Sequence, residues 1–122
     1  MTTSVAGLPI PYDGWLGLGS NLAGAWGGSA DRQVAVAMHR LRRLPGISVL
    51  AASPVYRSPP MGPADQPDYA NAVVRIRSRL SPMTLLAQVK RLERVAGRDP
   101  ASRRWGERAL DIDLLALDRL VL

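Results

Sequence analysis

Residues 69–80 restrict the fold most strongly, because their side chains alternate strictly in character. One set is apolar and consists of Ala72, Val74, Ile76 and Leu80. The other set is mostly polar or basic and consists of Tyr69, Asn71, Val73, Arg75, Arg77 and Arg79. A period of two predicts a β-strand with one covered face and one open face. Ser81-Pro82 follows, a helix N-cap with proline at the first helical position, so a helix begins where this strand ends.

Other segments extend this alternation of strands and helices. An apolar run at residues 15–19 predicts a buried strand. Asp31 is the predicted N-cap of a first helix, because apolar residues follow it at helical spacing. Residues 47–56, interrupted near Pro54, and residues 110–117 predict two more strands.

The resulting order is β-α-β-β-α-β, which indicates a fold class of α+β with a ferredoxin-like topology. In this topology an antiparallel sheet carries both helices on one face, and its other face is open for binding. We expect residues 1–14 to be a flexible leader and residues 15–122 to form one domain.

The chain is basic, with 16 lysines and arginines against 10 acidic residues, and the charge is unevenly distributed. Residues 90–108 hold seven basic and three acidic residues, whereas residues 109–122 hold one basic and three acidic residues. Carboxylates repel nucleic acid, but a site for a nucleotide with a divalent metal uses both signs of charge. The distribution favours a small phosphate ligand and disfavours nucleic acid.

Several classes of site are excluded by what the sequence lacks. Cysteine is absent, which excludes disulfides and thiolate sites and is compatible with a reducing, cytoplasmic location. No apolar run reaches the roughly 18 residues that span a bilayer, so no membrane partner is expected. Gly17 and Gly19 lack the third glycine of a dinucleotide fingerprint, and no Gly-Lys-Ser/Thr tripeptide occurs. The single histidine, His39, indicates a structural or solvated role.

Asp111 and Asp113 are the candidate metal ligands. Two positions apart on a strand, they return to the same face after an advance of about 6.6–6.8 Å. Magnesium prefers carboxylate oxygens, and a shared carboxylate can bridge two metal ions. The alternative is a pair of solvated aspartates on an exposed edge, although aspartate is depleted in strands.

Two further groups of side chains could bind a nucleotide and a flat ring. Arginines that precede the two acids can bind phosphate in bidentate fashion, and they are Arg98, Arg103, Arg104 and Arg108. Tyr69 and Asn71 share an open strand face, where a ring can stack on a heterocycle and an amide can pair with its edge. A solubilising loop and a cross-strand pair without a ligand are the respective alternatives.

Five blocks of sequence occur in a fixed order between positions 15 and 117. They are Gly17-Leu18-Gly19-Ser20-Asn21, Tyr56-Arg57-Ser58-Pro59-Pro60-Met61-Gly62, Asp65-Gln66-Pro67-Asp68-Tyr69-Ala70-Asn71-Ala72, Gly97-Arg98 and Arg104-Trp105-Gly106-Glu107-Arg108-Ala109-Leu110-Asp111-Ile112-Asp113-Leu114-Leu115. Together they resemble the 6-hydroxymethyl-7,8-dihydropterin pyrophosphokinase (HPPK) family. The resemblance implies an enzyme of folate biosynthesis that transfers diphosphate from ATP to the pterin hydroxymethyl group and releases AMP.

The resemblance also implies a role for individual residues. Asp111 and Asp113 would hold two Mg²⁺ ions and, with Arg98 and Arg108, form the catalytic group. The implied ATP-binding residues are Glu93, Arg98, Arg104, Trp105, Arg108 and Ile112. The implied pterin-binding residues are Gly19, Ser58, Pro59, Met61, Tyr69 and Asn71. Within the second set, Tyr69 would stack on the pterin and Asn71 would hydrogen-bond its edge.

Departures from the family pattern keep other hypotheses open. Pro100 and Glu107 stand where the family usually has a basic residue and proline, and the sequence stops at Leu122, before the family's His-Pro motif. One alternative is therefore a truncated or diverged, non-catalytic relative that binds nucleotide or pterin or acts as an interaction module. An RNA-binding domain is disfavoured because Tyr69 is the only aromatic residue on its strand's open face. The oligomeric state is left open.

Overall fold

The computed structural model describes residues 10–21, 29–59, 67–97, 110–118 and 120–121. In these ranges the strands are β1 (Tyr12–Ser20), β2 (Ile47–Ala52), β3 (Tyr56–Ser58), β4 (Tyr69–Ser78), β5 (Asp111–Leu117) and β6 (Leu120–Val121). The helices are α1 (Ala30–Arg42) and α2 (Pro82–Val95). The strands form one antiparallel sheet in the order β2-β4-β1-β5-β6, and β3 also pairs with β4. The predicted α+β, ferredoxin-like fold is confirmed.

The strand predicted at residues 47–56 is interrupted, as its proline indicated. Both β2 and β3 pair with β4, and Ser53 bridges the break between them. Its backbone N–H donates to the Val73 carbonyl over 2.9 Å, and its hydroxyl accepts from the Val73 N–H, also over 2.9 Å. The edge of β4 therefore remains hydrogen-bonded where the neighbouring strand bends away.

Both helices cover the same face of the sheet, because each presents an apolar stripe to it. The helix α1 contacts β1, β2 and β4, and α2 contacts β5. The buried apolar side chains of the core include Leu16, Leu18, Val34, Leu41, Val74, Ile76, Leu85, Val89, Leu92 and Ile112. The alternation in β4 has the predicted orientation, since Val74 and Ile76 are buried while Arg75 and Arg77 are exposed. The second face of the sheet carries neither helix.

The ends of the helices follow the predicted signals with one exception. Ser81 caps α2 by accepting from the Thr84 N–H, and Gly97, with φ of 102°, follows its end. The N-cap of α1 is Ser29, whose hydroxyl accepts from the Arg32 N–H over 3.3 Å, so the prediction of Asp31 was wrong. Asp31 lies instead in the first turn, where a negative charge favours the helix dipole, and pairs with Arg57 at 2.8 Å.

The first strand is longer than the run predicted at residues 15–19. β1 begins at Tyr12, so residues 12–14 belong to the sheet, and residues 1–9 lie outside the described part of the chain. Tyr12 is only 2% exposed and pairs with Ser78. Burial raises the pKa of the Tyr12 hydroxyl above its ordinary value of 10.0.

Asp13 links the beginning of β1 to β4 on the open face. Its carboxylate accepts from the Arg75 Nη2 at 2.6 Å and from the Arg77 Nε at 3.0 Å. The Arg75 guanidinium also lies 5.6 Å from the centre of the Trp15 ring, a cation–π distance. The hydrogen bonds from Arg75 and then Arg77 lower the pKa of the Asp13 carboxyl below its ordinary value of 3.8.

We predict that Asp13→Asn removes an acid-sensitive part of the stability. A lowered pKa in the folded state means that the ionised carboxylate stabilises the fold fully above pH 3.8, and that this contribution disappears as the pH falls through the folded-state value. Urea unfolding between pH 7 and pH 2.5 would measure it. The variant should be less stable than the parent at pH 7 and converge with it in acid, and a difference that stays constant with pH would contradict the prediction.

Candidate active site

A row of four residues crosses the open face of the sheet. The register places Asp111 of β5 opposite Gly19 of β1, Gly19 opposite Asn71 of β4, and Asn71 opposite Tyr56 of β3. Residues opposite one another in antiparallel strands have their side chains on the same face. The Asp111 carboxylate and the Asn71 amide therefore lie on the same face, with only a glycine between them.

The next row repeats this arrangement with a second aspartate. Asp113 lies opposite Gly17, and Gly17 lies opposite Val73. Neighbouring strands are ~4.8 Å apart, so the acids of β5 and the side chains of β4 are separated by about 10 Å. Because neither glycine has a side chain, the two rows form a groove with β1 as its floor, and at the Gly17 end the Leu115 side chain of β5 lies 3.5 Å from where a Cβ would stand. We call this feature the glycine groove.

Asp111 and Asp113 form one side of the glycine groove, which we call the acid side. They share a face of the sheet, as predicted from their spacing. Asp113 is exposed and Asp111 is half-buried, whereas the intervening Ile112 is 3% exposed and faces the core. No three His, Cys, Asp or Glu side chains form a potential metal cluster within the described ranges. Mg²⁺ commonly uses one or two protein carboxylates and takes its other ligands from substrate phosphates and water. This pair of oxygen donors thus fits a metal that arrives with a nucleotide.

The opposite side of the groove is formed by Tyr69 and Asn71. A Cβ atom built on Gly19 would lie 3.4 Å from Tyr69 Cδ1 and 3.6 Å from Asn71 Oδ1. The Asn71 Nδ2 donates to the Ser58 Oγ over 2.8 Å and lies 3.3 Å from the Tyr69 carbonyl oxygen. These hydrogen bonds turn the amide nitrogen towards the protein and the amide oxygen towards the space above Gly19. That side of the groove therefore presents an acceptor beside an aromatic ring.

The structure places Glu93 away from the open face. Its side chain is 1% exposed, and its Oε2 accepts from the backbone N–H of Ile112 over 2.8 Å. The Lys90 Nζ lies 3.6 Å from the other carboxylate oxygen. Two of the predicted ATP-binding residues, Glu93 and Ile112, lie in the described ranges, and they contact each other.

The predicted residues divide into those that the structure brings together and those that it does not describe. Gly19, Ser58, Tyr69, Asn71, Asp111 and Asp113 lie on the two sides or the floor of the glycine groove. Pro59 is exposed directly after β3. Met61, Arg98, Arg104, Trp105 and Arg108 lie outside the described residues, so their roles remain predictions.

Comparison with known proteins assigns the chain to a family. A family model described as 7,8-dihydro-6-hydroxymethylpterin-pyrophosphokinase (HPPK) matches residues 15–122. The chain belongs to the HPPK family. The match includes all the described strands and helices except the first three residues of β1, and both sides of the glycine groove lie inside it.

Curated relatives of the HPPK family agree with this assignment. Three of them carry the name 2-amino-4-hydroxy-6-hydroxymethyldihydropteridine pyrophosphokinase. The protein from Haemophilus influenzae is 42% identical over 101 residues, covering 83% of this chain and 59% of the relative. The protein from Methylorubrum extorquens is 42% identical over 104 residues, covering 85% and 62%. The protein from Pseudomonas aeruginosa is 38% identical over 108 residues, covering 88% and 63%. The chain thus spans about three fifths of the length of these HPPK relatives.

No helix in the described ranges is long and apolar enough to cross a lipid bilayer.

Three features of this HPPK family member were missed from the sequence. Gly17 forms part of the groove floor, and its spacing of two from Gly19 on a predicted strand could have indicated this. Trp15 and Tyr56 also lie on the open face, since they pair with Arg75 and Asn71 there. RNA binding was disfavoured because the open face of one strand, β4, has a single aromatic residue. The open face of the whole sheet has more of them. The contact between Glu93 and Ile112 was the third feature.

We predict that Gly19→Ala leaves the fold intact and stabilises it by about 0.4–1 kcal/mol, because alanine restricts the unfolded chain. The contacts of 3.4 and 3.6 Å leave room for a methyl group, and the backbone conformation suits an L-residue. Gly46→Ala is the matched control. At Gly46 the φ is 82° and a Cβ would lie 2.7 Å from Leu80 Cδ2, so alanine should destabilise. Chemical unfolding measures both, and a clear loss of stability in Gly19→Ala would show that the groove is not open.

Proposed function

We propose that this chain transfers the terminal diphosphate of ATP to 6-hydroxymethyl-7,8-dihydropterin, giving AMP and the pterin diphosphate. One observation supports this function most directly. In a member of the HPPK family, two carboxylates lie across a glycine floor from an aromatic ring and an amide. The relatives are named for this pyrophosphokinase reaction, which belongs to folate biosynthesis. We assign the reaction to the cytoplasm, in agreement with the absence of cysteine.

The acid side of the groove would bind the nucleotide phosphates through metal ions. Asp111 and Asp113 are the residues that would hold two Mg²⁺ ions, because both project on the open face and supply hard oxygen ligands. When bound, such ions neutralise the negative charge of the transferred phosphates and align them. Arg98 and Arg108 are proposed to bind the same phosphates.

The other side of the groove would bind the pterin. The Tyr69 ring and the half-buried Asn71 amide border the space above Gly19, which a flat heterocycle can enter. The Ser58 hydroxyl accepts from Asn71 Nδ2 and so leaves Asn71 Oδ1 as the acceptor for an N–H group of the ring. This arrangement selects a planar ligand whose edge donates hydrogen bonds.

The proposed chemistry follows from holding these two ligands side by side. The pterin hydroxyl oxygen attacks the β-phosphorus in line, a new O–P bond forms, and the bond from the β-phosphorus to the α,β-bridging oxygen breaks. AMP leaves with that oxygen, and the hydroxyl proton passes to solvent. The two sides of the groove are about 10 Å apart, so ligands bound to them would lie next to each other, and this positioning would supply much of the rate. Electrostatic stabilisation by the arginines, and by the ions that Asp111 and Asp113 would hold, would supply the rest.

A non-catalytic relative that binds nucleotide or pterin is the alternative, and no observation on the described residues favours it. Both sides of the groove are in place in the same sheet. Turnover therefore distinguishes the two hypotheses, since binding alone is common to both.

We predict that Asp111→Asn and Asp113→Asn each weaken Mg²⁺-dependent binding of a non-hydrolysable ATP analogue at least tenfold, about 1.4 kcal/mol. The change removes one charge and keeps the volume of the side chain, so the fold should persist. Asp118→Asn is the matched control, because Asp118 follows the same strand and its φ of 50° suits asparagine. Isothermal calorimetry measures the affinities, and circular dichroism measures the fold. If either site variant binds the nucleotide as tightly as Asp118→Asn, the metal assignment is wrong.

We predict that the parent chain releases AMP from ATP only when Mg²⁺ and 6-hydroxymethyl-7,8-dihydropterin are both present. Chromatography of the products would detect AMP and the pterin diphosphate in equal amounts. Omission of the pterin is the control for simple ATP hydrolysis. If both ligands bind but no AMP forms, the non-catalytic alternative is correct.

A further inference from the structure

A buried carboxylate interrupts the apolar stripe of α2. The stripe runs through Leu85, Val89, Leu92 and Ala96, all of which are buried, and Glu93 lies among them with 1% of its surface exposed. A carboxylate is costly to bury unless hydrogen bonds or opposite charges compensate it. An apolar residue could fill this position, so the acid is explained by what it contacts. One such hydrogen bond runs from the Ile112 N–H to Oε2 over 2.8 Å.

The position of Ile112 gives this hydrogen bond its significance. Ile112 separates Asp111 from Asp113, and successive residues of a strand point their backbone N–H and C=O groups to opposite edges. The Ile112 N–H points to the outer edge of β5, where it meets Glu93. The backbone groups of Asp111 and Asp113 therefore point to β1, where these residues pair with Gly19 and Gly17.

Glu93 thus replaces a neighbouring strand at this point of the edge. The described pairing of β6 with β5 is at Ala116 and Leu117 and does not reach Ile112. An unpaired outer edge leaves a strand free to shift or twist. With β1 on one side and the Glu93 carboxylate on the other, the backbone between the two aspartates is held from both edges.

We propose that Glu93 is a positioning residue for the acid side of the glycine groove. By accepting from the Ile112 N–H, it fixes the separation and direction of the Asp111 and Asp113 side chains. The proposal rests on the proposed function, because the two aspartates act there as the metal ligands. Residues that orient metal ligands typically change metal affinity 10- to 100-fold when they are lost.

This role differs from direct contact with ATP. A side chain that is 1% exposed and whose carboxylate already accepts from Ile112 has little surface for a nucleotide. Lys90 lies 3.6 Å from the carboxylate but is half-exposed, so its contribution is weak. The hydrogen bond from the Ile112 N–H requires an acceptor oxygen at this position, and a neutral side chain with such an oxygen can supply it.

Two variants of Glu93 separate the acceptor from the charge. Glu93→Gln keeps the volume and an oxygen that can accept from the Ile112 N–H, whereas Glu93→Met keeps the approximate volume and has no such acceptor. Leu85→Ala is the control for lost core stability, because Leu85 is fully buried on the same helix two turns away. Two quantities are measured for the parent and for each of the three variants. One is the Mg²⁺ concentration that gives half-maximal binding of a non-hydrolysable ATP analogue, and the other is hydrogen exchange at the Ile112 amide relative to Leu18.

The positioning role predicts a specific pattern across these variants. Glu93→Met should need at least about tenfold more Mg²⁺ and exchange the Ile112 amide at least about tenfold faster, as expected for loss of a ligand-orienting contact. Glu93→Gln should stay within about twofold of the parent in both measurements, and Leu85→Ala should keep the Mg²⁺ dependence of the parent.

Four results would overturn the proposal. They are an unchanged Mg²⁺ dependence in Glu93→Met, an unchanged relative exchange rate at Ile112 in that variant, a Glu93→Gln protein as impaired as Glu93→Met, and an equal shift in Leu85→Ala. Failure of the proposed function is recognised separately, because the parent itself would then show no Mg²⁺-dependent nucleotide binding, and the positioning role would fail with it.

Discussion

The antiparallel register of β1 with its two neighbours determines where each chemical group of the open face lies. β1 pairs with β4 through Gly19 and Asn71 and with β5 through Gly19 and Asp111. Because side chains alternate, a shift of one residue on either side would move the aspartates or the Asn71 amide into the core. The buried neighbours Leu16, Leu18 and Ile112 resist that shift, since it would expose them to water. The hydrophobic core thereby fixes the arrangement of polar groups on the opposite face.

The glycines of β1 exploit this register. A side chain at Gly19 would fit sterically but would enter the space beside the Tyr69 ring and the Asn71 amide, whereas one at Gly17 would contact the Leu115 side chain. Glycine has a low β-propensity, but β1 tolerates it because the strand is hydrogen-bonded to β4 on one side and to β5 on the other. In the same way α2 accepts a buried carboxylate at Glu93, which the Ile112 N–H stabilises. Both positions are poor choices for stability alone, and both lie next to Asp111 or Asp113.

Much of the fold was predictable because its signals are local. The alternation in β4, the Ser81-Pro82 start of α2 and the opposite orientations of Asp113 and Ile112 all follow from periodicity and capping. The N-cap of α1 was predicted wrongly because Ser29 and Asp31 are both good caps and lie two residues apart. Tyr12 was assigned to the leader because Pro11 and Gly14 obscure the beginning of β1. Contacts between distant segments are not encoded in a short window of sequence, and the Glu93 hydrogen bond across 19 positions is one of them.

The proposed function requires the acid side of the glycine groove to gather the divalent ions of a nucleotide. Mn²⁺ can replace Mg²⁺ as a paramagnetic probe, and it broadens the NMR signals of nearby amides most strongly. With a non-hydrolysable ATP analogue present, the amides of Gly17, Gly19, Asp111 and Asp113 should broaden first, while that of Ala37 in α1 should remain sharp. Broadening centred on the helices, or spread evenly over the sheet, would contradict the account.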